Sequence, residues 1–451
     1  MLILKILLGV FGLGIVVFVH ELGHFLAARI CGIKVTAFSL GWGPAAIHKE
    51  INGVDYRIGF FPVGGYCTMA GESDFRKVYE NRKNGVEPEK GDFYGASPVR
   101  RMITSFAGPF FNLIFSVIVF SVVMGAGYEF TTLPNRIALA KDVTGKSYPS
   151  DRAGLVSGDF ITAINGEKTE NYHDIQKLIA VNAKKTLDFT ILRDGKELNF
   201  SIEPELEKET GAGKIGVYFW SDPVIYELKP DGAAARAGLL SGDKIIKWDG
   251  EDFPYSAALY KIYKDKEMTG VIPVVYERAG EIFDAEIKMS PQDGGDAGIV
   301  WPYIKSKTPD YGFFGSIGQG SILAWETFSA SVRGLSLLFS GVDLTKAVSG
   351  PVRITYMAGE IAAEGFSGAK ISALRNFFEF LALISIALAV MNLLPLPILD
   401  GGAIVMFLVE LIRGKPAPPR FFFALQTAGV VLIAGLMALA LYGDVMFFIR
   451  K

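Results

Sequence analysis

Residues 16–30 read VVFVHELGHFLAARI, and in this stretch two histidines and a glutamate interrupt a sequence suited to a helix inside a lipid bilayer. His20 and His24 are four residues apart, so on a helix they lie on one face and can bind one metal ion. Glu21 lies beside them, where its carboxylate can deprotonate a bound water. Ionisable residues within a membrane helix are costly and usually face partners inside the protein. The pattern favours a metal-dependent hydrolase; the alternative is two histidines that hydrogen-bond to neighbouring helices without a metal.

The composition indicates a membrane protein. Half of the 451 residues are apolar and the formal net charge is only −2, so the chain is too apolar to be wholly soluble. No polybasic run points to nucleic acid. The two cysteines, Cys31 and Cys67, are too few for a disulfide framework or a cysteine zinc cluster, and we interpret them as buried thiols.

Charge-free runs at residues 102–128, 380–399 and 421–443 predict membrane-spanning helices, because each is near the ~20 residues that cross a bilayer. The N-terminal apolar run could instead be a cleaved signal peptide. No small-x-small cleavage site follows it, and we therefore expect a retained helix over residues 2–30 that carries HELGH near its end.

A catalytic zinc site needs a third protein ligand and an open position for water. The best candidate at membrane depth is Asp400, in the sequence MNLLPLPILDGG at residues 391–402. Pro395 and Pro397 must break the helix there, and the paired glycines after Asp400 allow the backbone to turn sharply. Irregular backbone at membrane depth occurs only where protein or a watery cavity surrounds it. The alternative is that Asp400 simply caps a short helix at residues 402–412.

HELGH, AGPFFN at residues 107–112 and NLLPLPILDGG resemble, in order and spacing, the site-2 protease family of intramembrane zinc metalloproteases, and the resemblance covers essentially the whole chain. It implies one Zn²⁺ per chain, bound by His20, His24 and Asp400, with Glu21 as the catalytic base. The residues expected to contact the substrate are Asn392, Pro395, Pro397, Gly64, Gly65 and Asn112.

Residues 38–44 and 56–72 look like the membrane-associated β-hairpin loop of that family. Val63 stands where many members have leucine, a change that we do not expect to alter the chemistry. A substrate helix presents no accessible carbonyl and must be unwound locally. We expect the loop edge near Gly64 and Gly65, together with Asn392, to hold the resulting strand by added hydrogen bonds.

The stretch between the second and third membrane segments repeats itself. RAGLVSGDFITAING begins at Arg152 and returns as RAGLLSGDKIIKWDG at Arg236, 84 residues later, which predicts two copies of one domain. The pattern resembles PDZ domains, which can add a peptide to an open edge strand. Tandem PDZ domains narrow the resemblance to the RseP-type (regulator of sigma-E) branch. The alternative is a pair of structural β-domains that bind nothing.

The predicted fold class is a polytopic α-helical membrane protein of about four transmembrane helices, with a membrane-associated β-hairpin loop and two inserted PDZ domains of α+β type. Within the linker, residues 313–341 are predicted to form an amphipathic helix at the membrane surface. The predicted divisions are transmembrane helix 1 (1–30), hairpin loop (31–97), transmembrane helix 2 (98–128), PDZ domain 1 (129–208), PDZ domain 2 (209–291), linker (292–372), transmembrane helix 3 (373–399), cytoplasmic-side connection (400–420) and transmembrane helix 4 (421–446).

Basic residues near the segment ends predict the orientation. They place the loops that follow the first and third helices in the cytoplasm, and the PDZ pair and both termini outside. The pair Arg450–Lys451 disagrees with this arrangement. The residues used are Arg29, Lys34, Lys49, Arg57, Arg100, Arg101, Arg413, Lys415 and Arg420.

The resemblance implies a bacterial inner-membrane protease that cuts within the membrane segment of single-span proteins, such as anti-sigma factors or remnant signal peptides, in regulated intramembrane proteolysis. The expected partners are these substrates, the lipid bilayer and peptides at the PDZ domains. The alternative from another class is a non-catalytic membrane scaffold whose PDZ pair recruits partners. A scaffold has no use for the set His20, Glu21, His24 and Asp400, and metal content distinguishes the two.

Overall fold

The structure is a computed structural model that describes residues 2–72, 89–207, 211–263, 268–290, 293–338, 350–364, 370–415 and 419–450. The helices are α1 (Leu2–Ile30), α2 (Pro98–Ala126), α3 (Ala140–Thr144), α4 (Pro149–Arg152), α5 (Tyr172–Ala180), α6 (Ala233–Arg236), α7 (Ala258–Ile262), α8 (Gly312–Leu338), α9 (Pro351–Glu364), α10 (Lys370–Asn392), α11 (Asp400–Arg413) and α12 (Pro419–Arg450).

The strands are β1 (Val35–Ile51), β2 (Val54–Met69), β3 (Glu129–Thr132), β4 (Ile137–Leu139), β5 (Phe160–Ile164), β6 (Glu167–Lys168), β7 (Leu187–Arg193), β8 (Lys196–Ile202), β9 (Glu205–Leu206), β10 (Gly213–Lys214), β11 (Val217–Phe219), β12 (Glu227–Leu228), β13 (Lys244–Trp248), β14 (Glu251–Asp252), β15 (Gly270–Arg278), β16 (Glu281–Met289), β17 (Ile299–Val300) and β18 (Ile304–Lys307). The chain forms two compact units. The membrane unit comprises Met1–Tyr128 and Pro309–Lys451, and the repeat unit comprises Glu129–Thr308.

Four of the described helices are long and apolar enough to cross a membrane: Lys5–Ile30, Pro98–Ala126, Ser372–Asn392 and Ala424–Met446. They correspond to the four predicted spans. The third helix ends at Asn392 rather than at 399, because the backbone of an X-Pro-X-Pro sequence cannot continue as a helix.

Close approach of helices explains two glycines of α1. A Cβ on Gly23 would lie 2.3 Å from the carbonyl oxygen of Ala107 on α2, and one on Gly9 would lie 2.0 Å from that of Thr355 on α9. Neither position has room for a side chain. The glycine of HELGH therefore brings the histidine-bearing helix directly against α2.

β1 and β2 form an antiparallel pair joined at Asn52 and Gly53. Both turn residues have positive φ, 52° and 78°, as a two-residue hairpin turn of type I′ requires. The pair bends back on itself, so that Ala37 is opposite both Asp55 and Thr68. The last part of β2, residues 65–69, is therefore an edge of this sheet.

The C-terminal helix α12 holds the start of α9. Asp444 on α12 is 2% exposed, and its carboxylate accepts hydrogen bonds from the backbone N–H groups of Gly350 (2.8 Å) and Val352 (3.0 Å). Free N–H groups and the helix dipole at a helix N-terminus stabilise a buried carboxylate. This contact explains how an aspartate is accommodated within an apolar helix.

The linker segment predicted at residues 313–341 forms α8, which ends at Leu338, and residues 339–341 lie outside the described part of the chain. α8 packs along α2, since a Cβ on Gly320 would lie 2.5 Å from the backbone nitrogen of Ser121. Its position at the membrane surface stays a prediction.

The repeat unit contains two four-stranded sheets of the same strand order, β6-β5-β7-β8 and β14-β13-β15-β16. Each has an arginine on its third strand paired with the aspartate of the Gly-Asp turn. Arg193 donates to Asp159 at 2.7 and 2.8 Å, and Arg278 donates to Asp243 at 2.7 Å to both oxygens. The sequence repeat is thus also a structural repeat.

Each repeat has its own hydrophobic core. The first core includes Phe189 and Ile215, and the second is built around Trp248 and Ile225 and also includes Ala138 and Val143 from the first repeat. Since Ile215 belongs to the first core, the first repeat extends past the boundary at 208/209 expected from the sequence. The difference arises because β11, at Val217–Phe219, returns to pair with β4 of the first repeat.

Candidate metal centre

Three side chains from two distant parts of the sequence meet in the membrane unit. His20 Nε2 lies 3.2 Å from His24 Nε2 and 3.3 Å from Asp400 Oδ2, and His24 Nε2 lies 3.5 Å from the same carboxylate oxygen. Both histidines are buried, 7% and 8% exposed. Among the described residues this is the one group of three or more His, Cys, Asp or Glu side chains that could bind a metal ion.

The triangle fits a zinc ion in size and chemistry. Ligand atoms bound to a tetrahedral zinc at about 2.0–2.1 Å lie about 3.3 Å from one another, close to the three separations found here. Two imidazole nitrogens and a carboxylate oxygen that converge on one point all present lone pairs, which repel unless a cation lies between them. Three protein ligands leave a fourth position for water, as catalytic zinc sites require.

Helix α2 contacts both histidines from behind. His24 Nδ1 lies 2.8 Å from the backbone carbonyl oxygen of Thr104, which can only accept a hydrogen bond. The ring proton is therefore on Nδ1 and the Nε2 lone pair is free for a metal. Between the rings, a Cβ on Gly108 would lie 2.3 Å from His24 Nε2 and 2.9 Å from His20 Cε1. The sequence analysis did not assign a role to Thr104 or Gly108. Both belong to a series with four-residue spacing, in which Thr104 precedes AGPFFN and Gly108 and Asn112 lie within it.

Asp400 is the first residue of α11, and Leu399 is its N-cap. Asp400 therefore does not occupy the N-cap position, and its carboxylate faces the histidines. The alternative that this aspartate simply caps the following helix is therefore not what the structure shows.

The sharp turn expected at the paired glycines is wrong. Gly401 and Gly402 belong to α11, and the reason for glycine is close approach. Their Cβ atoms would lie 2.3 Å from the carbonyl oxygen of Leu393 and 2.0 Å from that of Leu396. The proline-containing loop thus packs directly on the first turn of α11 and fixes the position of Asp400.

Glu21 lies against the edge of β2. A Cβ on Gly65 would be 3.3 Å from Glu21 Cγ, and the backbone of Cys67 hydrogen-bonds to the Glu21 carboxylate. Burial, with the nearby carboxylates of Glu21 and Glu72, raises the pKa of the Cys67 thiol to about 12. Cys67 is therefore a neutral thiol, and it is half-buried rather than buried.

The residues expected to contact substrate differ in how accessible they are: some line the front of the site, whereas Asn112 is fully buried. Asn392 ends α10 with Nδ2 3.4 Å from His20 Nε2, and Pro395 is exposed in the loop before Asp400. Gly64 has φ +80°, and its Cβ would lie 2.4 Å from Trp42 Nε1. Asn112, by contrast, is 0% exposed and contacts His20, with Nδ2 3.2 Å from Nδ1. Pro397 is half-buried, with Gly429 of α12 beside it.

An ion pair links the helix behind the histidines to the helix that begins with Asp400. Arg101 on α2 is 4% exposed and donates two hydrogen bonds to Glu410 on α11, at 2.6 and 3.1 Å. Its guanidinium also lies 4.7 Å from the ring centroid of Phe407. The bidentate geometry and the stacked ring hold α11 against α2.

Comparison with known proteins agrees with this geometry. The model of peptidase family M50 matches residues 8–436. A "Putative zinc metalloprotease" of Treponema pallidum is 35% identical, over 98% of this chain and 99% of the relative. "Regulator of sigma-E protease RseP" of Escherichia coli is 28% identical over 96% of each chain, and "Regulator of sigma E protease" of Haemophilus influenzae is 27% identical over 96% of this chain and 97% of the relative.

These matches confirm the predicted enzyme class and its zinc cofactor, and they rule against the non-catalytic scaffold. The four apolar helices agree with a multi-pass membrane protein. The chain belongs to peptidase family M50, the site-2 protease family, and is a polytopic membrane zinc metalloprotease.

Proposed function

We propose that this chain is an intramembrane endopeptidase that hydrolyses a peptide bond within the membrane segment of single-span proteins. In this proposal His20, His24 and Asp400 hold one zinc ion and Glu21 is the catalytic base. The observation that carries it is the triangle of donor atoms with sides of 3.2, 3.3 and 3.5 Å, two of whose corners lie on a helix able to span a membrane.

His20, His24 and Asp400 would hold the zinc ion, which would supply Lewis acidity to activate water and polarise the scissile carbonyl. Glu21 accepts the proton of the attacking water at its carboxylate and then donates it to the leaving amine nitrogen. Thr104 keeps the His24 proton on Nδ1 throughout. The buried wall formed by α2 excludes bulk water from the rear of the site.

Substrate binding requires an unwound strand, because a membrane helix has its carbonyls closed in hydrogen bonds. The edge of β2 at residues 65–69 adjoins Glu21, which supports this edge as the place where a substrate strand is added. Asn392 lies next to His20 at the opposite side and is suited to hold a substrate carbonyl. The substrates proposed are of the anti-sigma-factor or remnant-signal-peptide type, in a bacterial inner membrane.

The repeat unit is assigned as two tandem PDZ domains on the extracytoplasmic side, with the metal site toward the cytoplasm. The shared strand order and the paired Arg193–Asp159 and Arg278–Asp243 contacts support two copies of one fold. Orientation is tested in spheroplasts with single cysteines, in a background in which both native cysteines are replaced. A membrane-impermeant maleimide is expected to label a cysteine at exposed Lys196 and not one at exposed Lys49; the reverse would invert the topology.

The catalytic proposal is tested with Glu21→Gln, which keeps shape and leaves all metal ligands but removes the base. The variant is expected to retain zinc and to lose cleavage of a reconstituted single-span substrate. Glu379→Gln is the matched control, because Glu379 lies on membrane helix α10 beside Arg375 and away from the zinc ligands. Near-normal turnover by Glu21→Gln would refute the mechanism.

The PDZ assignment predicts a role in selection and none in chemistry. β3 and β18 pair, with Thr132 opposite Ile304, so residues 133–303 can be replaced by a short Gly/Ser turn that keeps both strands. The shortened enzyme is expected to cut a trimmed substrate normally and also to cut the untrimmed form that the intact enzyme refuses. This expectation treats the domains as a size filter that keeps substrates with bulky extracytoplasmic parts away from the metal site. Continued rejection of the untrimmed form would contradict that role and leave peptide binding as the role of the domains.

A further inference from the structure

The side-chain amide of Asn112 on α2 is completely buried against His20, and one of its two polar atoms has no hydrogen-bond partner among the described residues. Its Nδ2 lies 3.2 Å from His20 Nδ1, while its Oδ1 is buried and has no hydrogen-bond partner among the described residues. Buried polar atoms are almost always hydrogen-bonded. An unpaired carbonyl oxygen next to a histidine therefore points to a bond that forms with the other tautomeric state of the ring.

That state follows from the position of His20. Its Nε2 is the atom that meets His24 Nε2 and Asp400 Oδ2, so binding of a metal there requires a free lone pair on Nε2 and a proton on Nδ1. An Nδ1–H group facing the NH₂ of Asn112 would place donor against donor. Rotation of the amide by 180° exchanges two groups of nearly equal size and brings Oδ1 to face Nδ1.

We propose that Asn112 is a positioning residue whose amide oxygen accepts a hydrogen bond from Nδ1–H of His20 and so keeps Nε2 free for zinc. The inference rests on the proposed zinc site. The amide and the Thr104 carbonyl then have the same role on the two histidines. Thr104, Gly108 and Asn112 are four residues apart on one face of α2, with an acceptor behind each ring and a glycine between the rings.

The backbone at Asn112 is fixed firmly enough for this role. Its carbonyl oxygen accepts hydrogen bonds from Ser116 Oγ and Ser385 Oγ, each at 3.0 Å, and Ser116 Oγ also lies 2.9 Å from the carbonyl oxygen of Ala382 on α10. Asn112 is therefore held between two membrane helices. Because it is 0% exposed, contact with substrate, its expected role from the sequence, is less suited to this position than contact with His20.

The test compares three substitutions in the full-length protein in detergent micelles. Asn112→Leu keeps the volume and removes the acceptor, and Asn112→Asp restores an acceptor. Ser121→Ala is the control, because it removes a hydroxyl further along α2 that donates to the carbonyl of Val117 and touches neither Asn112 nor His20. The zinc dissociation constant is measured by competition with a chelator, and the thermal midpoint of each metal-free protein reports folding. Should Asn112→Leu fail to fold, Asn112→Ala replaces it as the variant without an acceptor.

Loss of a partner that orients a metal-bound histidine typically weakens metal binding about 10–100-fold. We expect that loss for Asn112→Leu, near-wild-type affinity for Asn112→Asp, and little change for Ser121→Ala. Wild-type affinity in Asn112→Leu, or equal loss in Asn112→Asp, would overturn the inference. His20→Ala separates the two proposals. If His20→Ala loses zinc while Asn112→Leu keeps it, only the positioning role fails, whereas unchanged zinc binding by His20→Ala refutes the zinc site itself.

Discussion

Substitution of Gly108 by alanine is a small change that should disable the proposed metal centre. The added Cβ would lie 2.3 Å from His24 Nε2 and 2.6 Å from His24 Cε1, whereas ordinary contact begins at 3.4 Å. The imidazole or the backbone of α2 must therefore move by about 1 Å. The 2.8 Å hydrogen bond to Thr104 holds the Nδ1 side of the His24 ring. The displacement therefore falls on the Nε2 side, where the proposed metal-binding nitrogen lies.

The expected consequence is a selective loss of function. A misplacement of about 1 Å at a catalytic group can cost about 10²-fold in rate, and zinc affinity is expected to fall with it. Intrinsic helix propensity changes in the opposite direction, since alanine is favoured over glycine in a helix by about 1 kcal/mol. Loss of activity therefore cannot come from a weaker helix.

The assay measures zinc affinity by chelator competition and initial cleavage rates on a reconstituted single-span substrate. Gly435→Ala is the matched control, because its Cβ would have no atom within 4 Å and the change in helix propensity is the same. Wild-type zinc affinity and rate in Gly108→Ala would show that the histidines do not lie against α2 as described, and the reasoning would be refuted.

Three further predictions concern the ligand set, a buried ion pair and acid stability. Asp400→Asn should retain less zinc than wild type after dialysis against a weak chelator, because a neutral amide is a poor zinc ligand; unchanged metal content would place the third ligand elsewhere. Arg101→Met or Glu410→Met alone should each lower stability by about 3–5 kcal/mol, and the double variant should recover most of it, whereas additive losses in chemical denaturation would contradict a direct pair. The Ser290 backbone N–H and Arg236 lower the pKa of Asp293 to about 2, so the stabilising effect of its carboxylate is present above the unfolded-state pKa near 4 and is lost as the pH falls toward 2. The melting temperature of Asp293→Asn should therefore fall less steeply over that pH range than that of wild type. Parallel curves would argue against the contact.

The sequence predicted the residues that we propose to act through their own side chains. His20 and His24 follow from helical spacing within an apolar helix, Glu21 from its place beside them, and Asp400 from a carboxylate beside a forced helix break. The structure brings the two histidines and Asp400 to within 3.5 Å of one another. Such residues leave a signature because their chemistry requires particular side chains.

The parts that sequence reasoning missed act through backbone or through the absence of a side chain. Thr104 contributes a carbonyl oxygen that any residue could supply, and Gly108 contributes only space. The glycines after Asp400 were interpreted as a turn, although they allow two loop carbonyls to approach a helix. The Arg101–Glu410 pair joins residues 309 positions apart, and no local pattern connects them.

The central claim is that hydrolysis takes place within the membrane segment of the substrate at the His20–His24–Asp400 site. The most direct test is mass-spectrometric identification of the new termini produced from a single-span substrate in lipid vesicles, with Glu21→Gln as the inactive reference. The account predicts a cut inside the apolar segment that is absent with Glu21→Gln. A cut confined to the flanking soluble residues, or the same termini produced by Glu21→Gln, would contradict it.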